Sequence, residues 1–192
     1  MEPMIRGYSV KQQLSFLQNQ YEPGVSERLF SQIPSEIREG LTSIKPAEWY
    51  PRQYSVAILR AIASHRGKDE SAVQGDLVRC GTFIATEATN TFLKILMKML
   101  TPAIFAKKIP EFWQRDQKGG HFEVDTSNAK DGHLTLKLCD VEGFDHIGVL
   151  SIGWISFGLK SLGKNDVVVE QHGWSLGSPG PKTISYDVKW AA

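Results

Sequence analysis

The 192 residues suffice for one domain, or two small subdomains around a shared core, since a domain takes roughly 100 to 200 residues. With 41% hydrophobic and 22% charged residues the composition excludes a disordered chain, and a net charge of +1 leaves no global field to draw in nucleic acid or an anionic membrane. Two cysteines, Cys80 and Cys139, exclude a disulfide framework and a four-cysteine zinc site. They point to a reducing, cytoplasmic setting, and Met1 to Gly7 offers no apolar signal segment.

In chain order, Ser9 precedes a helical pattern of Val10, Leu14 and Leu17, with Phe16 beside them, that stops near Tyr21 to Gly24. Ser26 predicts the cap of a second helix carrying Leu29, Phe30 and Ile33. Ser35, after Pro34, predicts the cap of a third carrying Ile37 and Leu41. A Pro46–Pro51 turn encloses Trp49 and Tyr50, and Ser55 to Ser64 reads as helix. From Glu70 to Ala88 the residues Val73, Leu77, Val78, Phe83 and Ile84 recur at helical intervals, with Gly75 and Gly81 as weak points and a bend expected near Gly81. Asn90 to Leu100 reads as a buried helix with one wet stripe of Lys94 and Lys98. Thr101-Pro102 then caps a helix expected to end before Pro110.

The period changes after residue 115. Phe122 and Val124, then Leu134, Leu136 and Leu138, alternate with polar neighbours across the Asn128–Gly132 turn and predict a hairpin. Ile147 to Leu162 reads as a buried helix whose glycines permit close backbone approach; its roughly 13 continuously apolar residues fall short of the 18 to 20 that span a bilayer. Val167–Val169 and Ile184–Trp190 predict two more strands around the Gly173–Pro181 loop. The expected fold class is α+β: a helical N-terminal part, residues 1–115, packed on a small antiparallel sheet with a late buried helix. The order strand-strand-helix-strand-strand over 116–192 shares one core with it, so 1–192 reads as a single domain.

Several phrases carry a resemblance: the Phe16-Leu17 helix leading to Tyr21, Trp49-Tyr50-Pro51, the Thr101-Pro102 helix running into Phe112-Trp113, Gly153-Trp154, and the closing Tyr186-Asp187-Val188-Lys189-Trp190. In ordering, from about Tyr8 to Trp190, the chain resembles bacterial proteins of the 4-vinyl-reductase domain and haem nitric-oxide-binding domain superfamily, related in fold to vesicle-tethering TRAPP subunits. The resemblance implies an α+β sensory or scaffolding module, often dimeric, with a small apolar or aromatic ligand between helices and sheet. The chain departs from the family at two places. No cysteines stand around the Gly173 to Thr183 hairpin, and the Tyr-x-Ser-x-Arg signature of haem sensors is absent. Neither zinc nor haem is therefore expected, and no cofactor is assigned.

Among residues that could carry chemistry, Asp140, Glu142, Asp145 and His146 offer an alternative metal site, but their spacing matches no named site type and Asp145 reads as a helix N-cap. His121 and His133 flank the hairpin with no cysteine or carboxylate obviously placed to complete a tetrahedral site. Cys80 and Cys139 read as structural thiols. The Gly177 to Thr183 run fails as a phosphate loop because Pro181 intervenes and a strand follows; no nucleophile elbow occurs. Lys94, Lys98, Lys107, Lys108 and Arg115 read as a solvated basic face.

The expected function is a non-enzymatic cytoplasmic signalling or interaction module that binds a small apolar ligand or a protein partner. It would work as a homodimer, without nucleic acid or a membrane span; the alternative is a metal-dependent sensor or enzyme using the Asp140–His146 loop. Phe92, Leu96, Met97, Phe105, Trp154 and Phe157 are the expected pocket. Gly148, Gly153 and Trp154 are the expected dimer interface, because small residues beside an aromatic suit helix contact.

Overall fold

In the computed structural model, residues 2–89, 100–173, 175–176 and 180–191 are described. The chain opens with a three-residue strand, β1 (Met4–Arg6), that turns directly into helix α1 (Gly7–Asn19). Ser9 does not cap this helix. Its first amide groups, Gly7 and Tyr8, donate instead to the carbonyls of Glu48 and Pro46 at 2.8 and 3.0 Å, so a neighbouring loop satisfies the helix start. In α2 (Pro23–Ser31) the fixed φ of Pro23 opens the helix, and Ser26 sits inside it, donating its hydroxyl to the Leu17 carbonyl at 2.8 Å. Short α3 (Ser35–Leu41) follows Pro34.

Trp49–Pro51 forms strand β2 rather than a turn alone, and leads into α4 (Gln53–Ser64). Helix α5 (Glu70–Ala88) is capped by Asp69, whose carboxylate accepts from the Ala72 amide at 3.0 Å. The expected helix over Asn90 to Leu100 falls almost wholly outside the described residues. Helix α6 (Pro102–Asp116) begins as the sequence predicts, with the Thr101 hydroxyl accepting from the Ile104 amide, but it runs through Pro110. A proline forfeits one helical hydrogen bond. Buried Ile109 and Trp113 on either side of Pro110 anchor the helix across that position.

Strand β3 (Gln117–Lys118) joins β1 and β2 in a three-stranded antiparallel sheet, order β2-β1-β3, with Ile5 of the central strand fully buried. The main sheet contains β4 (His121–Asp125), β5 (His133–Cys139), β6 (Val168–His172) and β7 (Thr183–Lys189) in the antiparallel order β4-β5-β7-β6. Phe122 and Val124 on β4 pair opposite Leu138 and Leu136 on β5, so the apolar residues of the expected hairpin share a face. Phe122, Leu134, Leu136, Leu138, Ile184, Tyr186 and Val188 are buried on one face, as a period-2 pattern requires.

The late helix α7 (Ile147–Ser161) lies between that sheet and α5. Three glycines meet three different neighbours. A Cβ on Gly148 would come within 2.8 Å of Ile184 on β7, one on Gly153 would overlap the Val78 carbonyl of α5, and one on Gly158 would overlap the Phe105 ring of α6. Buried residues from the helical part and from the sheet belong to one hydrophobic cluster. The architecture is α+β, with seven α-helices and two antiparallel sheets among the described residues, and none of these helices is long and apolar enough to cross a membrane.

Candidate ligand cavity

Among the described residues, a largely apolar open space lies between the C-terminal half of α5, one face of α6 and the second half of α7, with a volume of about 310 Å³. Its geometry follows from helical spacing. Phe105, Lys108, Phe112 and Arg115 recur at intervals of three and four along α6, Trp154, Phe157 and Gly158 do so on α7, and Ala85 and Ala88 stand three apart on α5. The alanines leave the space; the aromatics form its wall. The Trp154 ring stacks on Phe105 with centroids 6.1 Å apart and takes Phe112 edge-on at 5.9 Å. At the rim, the exposed cations of Lys108 and Arg115 pair with Glu111 and Asp116, each at 2.8 Å.

Beyond the Phe112–Trp154 pair a second, smaller cavity of about 90 Å³ opens toward α1 and β4. Its lining is mixed: Ile109, Trp113 and Phe122 beside Ser9, Gln13, Gln117 and Ser151. The Gln13 and Gln117 side-chain carbonyl oxygens are buried there without a protein donor. A donor group or a water molecule would satisfy them, since buried polar atoms are costly when left unpaired.

Of the six residues read as pocket-lining, Phe105, Trp154 and Phe157 gather at the larger cavity, whereas Phe92, Leu96 and Met97 lie outside the described residues. Lining residues that the sequence did not point to include Ala85, Thr89, Ile104 and Phe112. Phe112 was visible as the residue one heptad after Phe105, but the expected helix end at Pro110 separated the two. The glycines assigned to self-association are placed otherwise. Gly148 and Gly153 are buried inside the chain's own fold, against β7 and α5, so the close backbone approach their small size permits is an intrachain one. Trp154 is half-buried at the cavity.

The loop carboxylates disperse. Asp145 caps no helix; it accepts from Arg60 Nε at 2.8 Å and from the Gly180 amide at 3.1 Å. His146, at the start of α7, has a left-handed φ of 66°. Its pKa lies below the ordinary histidine value because burial penalises the imidazolium, with Asp145 opposing the shift and Arg60 adding to it. Glu142 is exposed, and Asp140 turns toward His121, 3.5 Å from Nδ1. Among the described residues, the group of His, Cys, Asp or Glu whose ligand atoms converge is His121, Glu123 and Cys139, not the Asp140–His146 loop. Cys80 is fully buried, and burial pushes its thiol pKa upward, away from reactivity.

No family model matches this sequence, and no curated protein sequence matches it. Solved structures do resemble it in fold. An Fe(II) unliganded H-NOX protein from K. algicida aligns over 98% of this chain and 97% of its own, with a TM-score of 0.70 at 11% identity. An H-NOX protein from S. oneidensis in the Fe(II)NO ligation state aligns over 98% and 100%, with a TM-score of 0.66 at 10% identity. An oxygen-binding H-NOX domain related to soluble guanylate cyclases aligns over 98% and 96%, with a TM-score of 0.63 at 12% identity. The likeness is one of fold, and it supports the haem nitric-oxide-binding part of the resemblance read from the sequence.

That fold family implies haem, and the described linings of these two cavities do not fit it. Haem iron takes a histidine, cysteine, methionine or tyrosine as protein ligand. None of these lines either cavity among the described residues. The histidines stand elsewhere: His65 beside Tyr21 and Arg28, His121 beside Asp140, His133 and His172 on Asp187, and His146 in the loop before α7. The space between α6 and α7 holds the Phe105 and Trp154 rings, stacked, with Phe112 edge-on to Trp154.

Proposed function

We propose that this chain is a haem-independent ligand-binding module of H-NOX-like fold, non-enzymatic, that takes a small apolar or aromatic molecule into the cavity between α5, α6 and α7. The observation that carries the reading is the pairing of an aromatic wall, Phe105, Phe112 and Trp154, with the vacated side opposite Ala85 and Ala88. Ligand pockets are typically apolar clefts with few polar groups, of about 300 to 1,000 Å³, and this one lies at the lower edge of that range.

Titration with a naphthalene-sulfonate probe, followed by probe fluorescence, tests the reading. Saturable binding with one site per chain is expected, weakened at least tenfold in Ala88→Phe, whose ring would occupy the space, while the thermal midpoint is retained. Absence of saturable uptake, or equal uptake by the filled variant, would sink the reading.

A further inference from the structure

We propose that His121, Glu123 and Cys139 form a binding site for a borderline divalent metal ion, zinc in the first place, on the outer face of the main sheet. The site arises from strand register. His121 of β4 lies directly opposite Cys139 of β5, and Glu123 follows two residues after His121, so all three side chains emerge on the same face, away from buried Phe122 and Leu138. Their ligand atoms all lie within 4.8 Å of one another, close enough for modest rotamer adjustment to bring them onto one ion.

The donor chemistry is specific. Imidazole, thiolate and carboxylate together suit zinc, which accepts mixed nitrogen, sulfur and oxygen ligands and leaves a fourth position open when three protein ligands bind it. A calcium or magnesium site would be built from oxygens alone. The histidine is also oriented for the task. Its Nδ1 lies 3.5 Å from the Asp140 carboxylate while Nε2 lies 3.7 Å from Glu123. That leaves Nε2 toward the ion and Asp140 as the positioning carboxylate behind the ring, the arrangement that fixes the tautomer of metal-binding histidines. Asp140 reaches this position through a left-handed turn, φ 58°. Lys137 stands opposite Glu123 in the register and is exposed. When the ion binds, a sulfur–metal bond forms and the thiol proton passes to solvent, so affinity rises with pH.

In the sequence His121 stands with His133 across the hairpin, with no cysteine or carboxylate obviously placed beside them; Cys139 and Glu123 join His121 only through the pairing of β4 with β5. The inference does not rest on the cavity, and cavity-filling variants leave its test unchanged.

Titration of the reduced full chain with Co²⁺ alone, then competition with Zn²⁺, reads the site directly. One ion per chain is expected, with a thiolate-to-cobalt charge-transfer band that Zn²⁺ abolishes. Cys139→Ser removes the band and Cys80→Ala keeps it. His121→Ala and Asp140→Asn each weaken binding about tenfold or more, the latter without loss of stoichiometry. Circular dichroism checks that Cys139→Ser stays folded, as its half-exposed position predicts. No saturable uptake of either ion, or a band that survives Cys139→Ser, would overturn the proposal.

Discussion

Gly153 and Val78 touch through their backbones: a single added Cβ on Gly153 would overlap the Val78 carbonyl oxygen, just as one on Gly81 would overlap the carbonyl of Leu150. The two helices α5 and α7 therefore cross at reciprocal glycines, one from each. Such a crossing admits no side chain without separating the helices, and α7 is held on its other side by Tyr186, whose hydroxyl donates to the Gly148 carbonyl at 3.2 Å.

Gly153→Val is expected to destabilise the fold by about 3 kcal/mol, the upper end of ordinary overpacking, because the atom in the way is backbone rather than a flexible side chain. Urea denaturation measures the loss, and sedimentation measures what it means. A variant that stays fully stable but drops from dimer to monomer would return this helix to a subunit interface; a lowered midpoint at unchanged mass assigns it to the core.

Arg52 ties the two sheets' neighbourhoods together and gives a second test. Only 4% exposed, it donates to the Gly119 carbonyl at 2.7 Å and the Lys118 carbonyl at 3.3 Å, and lies 4.8 Å over the Phe144 ring. Burial pulls its pKa down to about 10, with no carboxylate among the described residues paired to it. Arg52→Met fills similar volume but leaves the two carbonyls without their donor, which should cost about 1–3 kcal/mol. Arg52→Lys should not restore it, since an ammonium cannot both fork onto two carbonyls and stack on a ring. Denaturation midpoints of the two variants decide the matter; full rescue by lysine would show that charge alone matters here.

How much of this was legible in the sequence depended on the range of the signal. The Thr101 cap, the α5 boundaries and the two strands of the β4–β5 hairpin were readable because caps and periodicity are local. The strands β1, β2 and β3 were not, since two or three residues cannot show alternation and their pairing joins residues 5, 50 and 117. Pro110 misled for a physical reason: its local penalty is real, but burial of Ile109 and Trp113 outweighs it. The aromatic residues Phe105, Trp154 and Phe157 were recognisable as a set, whereas the glycines of α7 were recognisable only as needing a close neighbour. Sequence could not say that the neighbour belongs to the same chain.

His146 supplies a pH dependence of definite sign. Its folded-state pKa lies below the ordinary 6.5, so in the window between the folded value and 6.5 the unfolded chain binds more protons than the native one. Stability then rises with pH through that window and falls as the pH drops below 6.5. His65, lowered chiefly by burial and then by Arg66, contributes in the same direction. Asn tolerates left-handed φ better than most residues and does not titrate, so His146→Asn should keep near-neutral stability and flatten part of the slope. Urea midpoints measured on either side of 6.5 test this; an unchanged slope in the variant would assign the dependence to His65 alone.

An H-NOX-like fold without an iron ligand in its described cavities should fail to form a defined haem complex, since apolar contact alone gives haem no fixed coordination. Haemin added to the purified chain is expected to give the broad absorption of loosely associated haem. Reduction and nitric oxide should then yield no sharp change traceable to one residue. Each of the five histidines can be changed to alanine in turn as a control on surface capture, with the exposed imidazoles of His172 and His121 the main competitors. A sharp Soret band with one haem per chain, abolished by a single one of these changes, would mean that an axial ligand reaches the cavity. The haem-independent reading would then fall, while the cobalt titration of the His121, Glu123 and Cys139 site would stand on its own result.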